Sequence, residues 1–421
     1  MNVAERLADF VSPIFGTDLP IAIRGWDGSQ VGPHDAPVLV VKSRAALRRL
    51  MWDPSELGFA QAYITGELDV EGDITEGFRR VWKQARAQQL RGLTFSNRDK
   101  GRALITAARL GVIGRRPPVP ASQATLSGEL HSKNRDRAAI AHHYDLSNDF
   151  YSLILDETMA YSSAYFTTVD QPIAEAQAAK LDLICRKLGL EPGMRLLDIG
   201  SGWGSLILHA ATHYGVRATG VTISAQQRDF VNKRIAERGL GDRVEVRLQD
   251  YRELDEPVFD AVSSIEMGEH VGQDQYPVYT STMFGQLRPG GRLLLQQMSR
   301  HAGTAPGGGA FIENYIAPDM HMRPLAETLG FVIDAGFEVR DVEAMREHYV
   351  WTVQAWLDTF ESHYAEAVAM VGEEVARVWR LYLVGGGLSF EEGRMGVDQI
   401  LAVKNTGDGV SAMPARRPWA L

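Results

Sequence analysis

Residues 196–204 read LLDIGSGWG, an apolar run followed by glycine at every second position. An apolar stretch too short for a helix predicts a buried strand. Glycines directly after it predict a tight turn whose backbone can approach a ligand closely. The flanking sequence extends the pattern. A helix-like stretch over 173–188 precedes it and another follows Gly204. Strands and helices then alternate as RATGVTI, AQQRDFVNKRIAERG, VEVRLQD, FDAVSSIE, a helix near 276–287, and GRLLLQQM. Repeated strand–helix units with short apolar strands predict a mostly parallel sheet covered on both faces. In such folds ligands bind at the carboxyl ends of the strands.

Each of those ends carries candidate chemistry. G-x-G-x-G after Asp198 is the spacing of S-adenosylmethionine (SAM) sites, where Gly200, Gly202 and Gly204 would meet the amino-acid end of the ligand. A purely structural glycine turn is the alternative. The second strand ends in GVTISAQQ and offers no acid for ribose hydroxyls, which leaves Thr222, Ser224 and Gln227 for that task. The third ends in LQDYREL, where Gln249, Asp250 and Tyr251 suit an adenine amino group and ring face. The fourth, SSIEMGEHVGQDQY, brings Glu266, Glu269 and His270 to the same edge, as a site or as a solvated loop.

The first third reads as mixed α/β. PIAIRGWDGSQVG predicts a hairpin with an Asp-Gly turn and APVLVVKS a strand, followed by a helix at RAALRRLMW and the segment SELGFAQAYITGELDVEGDI. Residues 79–116 read as largely helical, broken at Gly92 and Gly101. GVIGRRPPVPAS collects glycine and proline, which places a boundary between domains 1–122 and 123–421. Val3, Leu7, Phe10 and Val11 share one face of an N-terminal helix, directed at its own domain or at a membrane surface. There is no apolar run long enough to span a bilayer. The single Cys185 excludes an intramolecular disulfide, fits a reducing compartment and falls in a helical pattern as a buried apolar residue. A net charge of −9 disfavours nucleic acid as a partner. Yet Arg79 to Arg116 holds eleven Lys or Arg against one acid, Asp99. That run suits a polyanionic surface, either anionic lipid or nucleic acid, or else a solvated helical face.

From about residue 130 to 405 the chain resembles the cyclopropane-fatty-acid synthases and mycolic acid methyltransferases. The motifs stand in family order: HYDLSNDFY, LDETMAYSSAYF, LLDIGSGWG, GVTISAQQ, LQDYREL, EMGEHVG, FIENYIAPD and REHYVWTVQAWLDTF. GELDVEGDI resembles the N-terminal domain of the full-length bacterial synthases, associated there with lipid access and dimerisation. The resemblance implies a class I SAM-dependent methyltransferase fold, Rossmann-like with a mostly parallel seven-stranded sheet, plus a smaller N-terminal α/β domain. It implies methyl transfer to the cis alkene of an acyl chain through a carbocation, which a bound bicarbonate deprotonates. Tyr161, Ser162, Gly200, Gly202, Thr222, Ile223, Gln227, Asp250 and Tyr251 fall on cofactor positions. Glu269 and Tyr349 fall on bicarbonate positions by their side chains, and Ser163 and Met298 by their backbone N–H groups.

Two positions depart from the family. Ser163 stands where cysteine is usual, and Gln296 where histidine is usual. Ser163 keeps its backbone N–H, whereas Gln296 keeps a donor but cannot carry a proton. Gln296 and YIAPDMHMRPL resemble an actinobacterial branch that makes methylene-branched chains, precursors of tuberculostearic-type acids. The expected protein is thus a cytoplasmic enzyme, a homodimer by resemblance, attached peripherally to the inner face of the membrane. Its substrates would be unsaturated phospholipid acyl chains at an anionic surface. The alternatives are a methyltransferase of a soluble small molecule and a non-catalytic lipid-binding protein. MAYSSAYF would form the lip of the site, with Tyr165 or Phe166 facing the acyl chain.

Overall fold

The computed structural model describes residues 1–15, 19–88, 101, 105, 108–123, 135, 147–255 and 258–419. Gly92, most of the basic run beyond Gln88, and residues 143–146 of HYDLSNDFY lie outside the described residues. The chain forms two compact units.

The first comprises Met1–Gln123, Ala310–Tyr315 and Tyr364–Leu388. Its strands β1 (Ala22–Arg24), β2 (Gln30–Val31), β3 (Val38–Val41) and β4 (Leu68–Glu71) lie in the order β2-β1-β3-β4. The hairpin β1–β2 is antiparallel and turns at Gly28, whose φ of 79° suits glycine. Helices α1 (Val3–Phe15), α2 (Arg44–Trp52), α3 (Glu56–Ile64) and α4 (Ile74–Ala87) accompany the sheet. Ser43 and Asp73 cap α2 and α4 through their side chains. Leu7, with Val3 and Val11, packs into a core with Ile23, Val41 and Leu68, so this face of α1 serves its own unit. Gly101 is helical where the sequence predicts a break.

A single cut after residue 122 does not describe this unit, because the chain returns to it twice. Arg377, on the helix Glu373–Glu391, donates to the Tyr63 carbonyl at 2.6 Å and the Leu68 carbonyl at 2.8 Å. Its guanidinium also lies 4.0 Å from the Tyr63 ring centre. Composition along the chain carries no trace of such long-range pairing.

The second unit comprises Ala124–Gly309, Ile316–His363 and Ser389–Leu421. Strands β5 (Arg195–Ile199), β6 (Arg217–Thr222), β7 (Val244–Leu248), β8 (Phe259–Ile265), β9 (Leu287–Arg300), β10 (Glu338–Ala344) and β11 (Met395–Val403) form a seven-stranded sheet in the order β10-β11-β9-β8-β5-β6-β7. Strands β5 to β9 pair in parallel, and β11 runs antiparallel to both its neighbours. The period of two along each strand sorts the core into two layers. Leu196, Ala218, Ala261 and Leu294 face one layer with α5 (Ile173–Leu188), α6 (Ser205–His213) and α7 (Ala225–Glu237). Leu197, Val221, Val262 and Leu293 face the other, with α8 (Tyr276–Gln286) and α9 (Leu325–Asp334). Burying each such leucine stabilises the fold by about 2 kcal/mol. Cys185 is fully buried in the first layer, and burial pushes its thiol far up from the ordinary range. The sheet order reverses beside β5, between β6 and β8, and that switch point is where a ligand crevice is expected.

Candidate active site

A cleft opens at the carboxyl ends of β5, β6 and β8. Its floor is the turn after β5. Gly200, Gly202 and Gly204 all have positive φ, at 77°, 53° and 80°, but they serve different ends. A Cβ on Gly202 would meet nothing within 4 Å, and this residue lines the cleft. A Cβ on Gly204 would strike Val231 at 2.9 Å, and Gly204 does not line the cleft. Gly204 is therefore the glycine that lets α6 pack on α7, and its assignment as a ligand contact is corrected on that ground. Gly200 lines the cleft and is held to glycine by the Met267 side chain, 2.7 Å from where its Cβ would lie.

Tyr161, Ser162, Thr222, Ile223, Gln227, Gln249, Asp250 and Tyr251 all line the same cleft. At the end of β6 the Thr222 hydroxyl donates to Gln227 Oε1 at 2.9 Å, which leaves the amide nitrogen of Gln227 for a ribose oxygen. Ser224 instead caps α7, accepting from the Gln227 N–H. Asp250 accepts from Arg252 at 2.8 and 2.7 Å, and the Tyr251 ring packs edge-on against Tyr279. Gln249 donates to the Glu253 carbonyl at 3.0 Å.

Two further cleft residues carry charge. Lys180 is fully buried, donates to Ser162 Oγ at 2.8 Å, and is pulled down to about 8 by burial. Asp198 accepts from Ser263 Oγ at 2.7 Å and is pushed up to about 6, again by burial. A cation and a carboxyl group on one wall suit the α-amino-acid end of SAM, with the ribose at Thr222 and Gln227 and the base at Asp250 and Tyr251. The sequence signal for Lys180 is its place on the helical stripe Ala176–Lys180–Ile184, whose other members are apolar and buried.

MAYSSAYF (159–166) is an extended lip without helix or strand. Its backbone is pinned on both sides. Gln177 Nε2 donates to the Ala160 and Ser162 carbonyls at 3.2 and 2.9 Å. Thr352 Oγ1 and His348 Nδ1, on α10 (Arg346–Ser362), accept from the N–H groups of Ala164 and Phe166. Tyr161 meets Trp356 and Tyr151 with ring centres 5.3 and 5.6 Å apart, and Tyr151 meets Trp203 at 4.5 Å. Tyr161 and Trp203 line the cleft. Tyr165 and Phe166 do not: Tyr165 stacks on His348 at 4.6 Å, and Phe166 is buried beside Trp351. The expectation that either faces an acyl chain is corrected accordingly.

The acidic group at the end of β8 departs most from expectation. Glu266 lines the cleft, with a left-handed φ of 50°. That conformation costs a non-glycine residue about 1 kcal/mol. Its Oε1 accepts from the Ser163 N–H at 2.8 Å and from Gln296 Nε2 at 2.9 Å, and its Oε2 accepts from the Tyr349 hydroxyl at 2.6 Å. Gln296 is held in turn by Gln399 Nε2 at 2.9 Å, and Gln399 by Lys187 at 2.8 Å. Glu269 lies behind, outside the cleft lining. Its Oε1 accepts from the Met298 N–H, and its Oε2 is buried without a partner. Burial, and then the neighbouring Glu266, push Glu269 up to about 8. Burial raises Glu266 too, but its three donors and Lys180 work against the shift. The donors around Glu266 favour its ionised form over that of Glu269, which has a single backbone donor.

These contacts bear on the implied bicarbonate. The Ser163 N–H and Tyr349 hydroxyl expected to hold it, and the Gln296 amide beside them, are engaged by Glu266, and the Met298 N–H by Glu269. An added anion there would lack these donors and would face the Glu266 carboxyl group at close range. The residues present do not fit a bound bicarbonate.

Comparison with known proteins agrees with the fold. The family model for mycolic acid cyclopropane synthetase matches residues 131–400. The chain is 35% identical over 418 residues to a "Probable fatty acid methyltransferase" of Pseudomonas putida, covering 98% of both proteins. It is 36% identical over 413 residues to a protein of the same description from Mycobacterium tuberculosis, covering 95% of this chain and 94% of that one. A solved mycolic acid cyclopropane synthase in complex with SAH and CTAB superposes with a TM-score of 0.60 at 33% identity, covering 63% of this chain and 97% of that one. The chain belongs to the mycolic acid cyclopropane synthetase family and is a SAM-dependent methyltransferase.

Proposed function

We propose that the protein transfers the methyl group of SAM to the cis double bond of an unsaturated acyl chain carried by a membrane phospholipid. A sulfonium methyl is electrophilic as it stands. The alkene π pair forms the new C–C bond while the C–S pair remains on sulfur, so no serine, cysteine or lysine has to be activated. Transfer leaves a carbocation, which needs aromatic faces and exclusion of water. The observation that carries this reading is the cleft wall itself. Tyr161 and Trp203 line the cleft together with Glu266, and Tyr151 and Trp356 back them. Loss of a proton from the transferred methyl closes a cyclopropane. After a hydride shift from the methylated carbon, the same loss leaves a methylene branch.

The basic run 79–116 supports a lipid surface over a free metabolite, since each Lys or Arg near an anionic membrane contributes about 1 kcal/mol. The test supplies methyl-labelled SAM with vesicles of unsaturated phosphatidylglycerol, and in parallel with free fatty acids and small soluble acceptors. Label recovered in phospholipid acyl chains, as methylene or cyclopropane isomers separable after derivatisation, is the expected result. Label found only in soluble acceptors sinks the reading.

A further inference from the structure

We propose that the Glu266 carboxylate is the general base of the reaction, built into the chain in the place of a bound inorganic anion. The inference rests on the carbocation reading above.

Geometry carries it. A carboxylate has about four lone-pair sites. Glu266 spends two on Oε1, for Ser163 and Gln296, and one on Oε2, for Tyr349. One site on Oε2 therefore remains to take a proton, and the residue lines the cleft that the ligands enter. Glu269, the other acid of the pair, lies outside the lining. The backbone points the same way. A glutamate held at a φ of 50° is a strained choice that three convergent donors over-determine, and such strain clusters at functional positions.

The step balances. A C–H bond of the transferred methyl breaks, and its electron pair forms the third ring bond or, after the hydride shift, the C=C bond. The proton goes to Glu266 Oε2, and the positive charge of the cation is discharged against the carboxylate. The proton returns to solvent when the product leaves. Among the described residues, three titratable groups act on Glu266 or answer to its charge. Tyr349 comes from α10 and Lys180 from α5, and Glu269 stands behind as the neutral acid. Gln296 and Tyr349 act through Glu266 and are positioning residues.

The experiment uses the full-length protein with SAM and unsaturated phospholipid vesicles, in buffer stripped of carbon dioxide and then supplemented with bicarbonate. Wild-type turnover should change by less than about twofold on supplementation, and E266Q should lose about a hundredfold or more in kcat. SAM affinity measured by calorimetry should remain for E266Q, which reports the fold independently of turnover. In a second variant, E266G, the left-handed backbone is relaxed and the three donors are released. This variant should be inactive in stripped buffer and recover about tenfold or more with bicarbonate, formate or acetate. Wild-type turnover that collapses in stripped buffer and returns with bicarbonate overturns the assignment while leaving the methyltransferase reading in place. E266Q turnover within about tenfold of wild type does the same. A wild type that methylates no acyl chain in either buffer overturns both.

Discussion

At position 163 the expected cysteine and the observed serine are equivalent for the contact that matters. The backbone N–H serves Glu266, while the hydroxyl turns to the Ala164 carbonyl at 3.2 Å. Ser163→Cys should therefore leave kcat within about twofold of wild type, because the weak hydrogen bond it removes is worth about 1 kcal/mol to folding and nothing to the base. Gln296→Ala and Tyr349→Phe each remove a donor that favours the ionised form of Glu266. Both should move the acidic limb of the kcat–pH profile upward, and an unmoved limb would assign them to scaffolding alone. Glu269 gives a stability prediction. Its folded pKa of about 8 lies above the ordinary carboxyl value of 4.5, so the stability it contributes is complete below about 4.5 and is lost as pH rises through 8. The Tm of Glu269→Gln, relative to wild type, should rise between pH 6 and pH 9. Equal melting differences across that range would show that Glu269 is already ionised in the fold.

At the scale of the element, one strand–turn–helix separates ligand contact from packing. Gly202 and Gly204 share a backbone conformation that penalises any side chain, yet only one of them faces open space. Gly202→Ala should weaken SAM binding by about tenfold while lowering stability by about 1 kcal/mol. Gly204→Ala should cost about 2 kcal/mol or more, since strain and overlap with Val231 add. Calorimetry and thermal melts on the two variants distinguish these outcomes. The elements themselves were legible: the helix read at 173–188 is Ile173–Leu188, and the strands read after it are β5 to β9. Hydrophobic period is a local property, and each of these segments buries the face its period marks. The role of each glycine was not legible, because G-x-G-x-G looks the same whether a ligand or Val231 lies above it.

For the whole molecule, the charge run at 79–116 leads to a prediction about surfaces. Arg79 and Arg80 pair with Glu76, and Arg80 also approaches Asp35, so part of the run is neutralised by acids outside it. Binding to anionic vesicles should still fall steeply with salt, because charges beyond a screening length of about 10 Å at 0.1 M stop contributing. Salt-insensitive binding to neutral vesicles would remove the electrostatic docking idea. Among the described residues no helix is long and apolar enough to cross a membrane. The sequence by itself determined the alternating strand–helix order, the two-sided, mostly parallel sheet and the ligand edge, since period, glycine spacing and strand ends are local properties of the chain. Only the tertiary structure decided that residues 310–315 and 364–388 fold with the first unit. It alone decided which of two glutamates three positions apart holds the donors of Ser163, Gln296 and Tyr349. Those donors come from segments more than 180 residues apart along the chain, between Ser163 and Tyr349. No local pattern can report how such segments converge on one carboxylate.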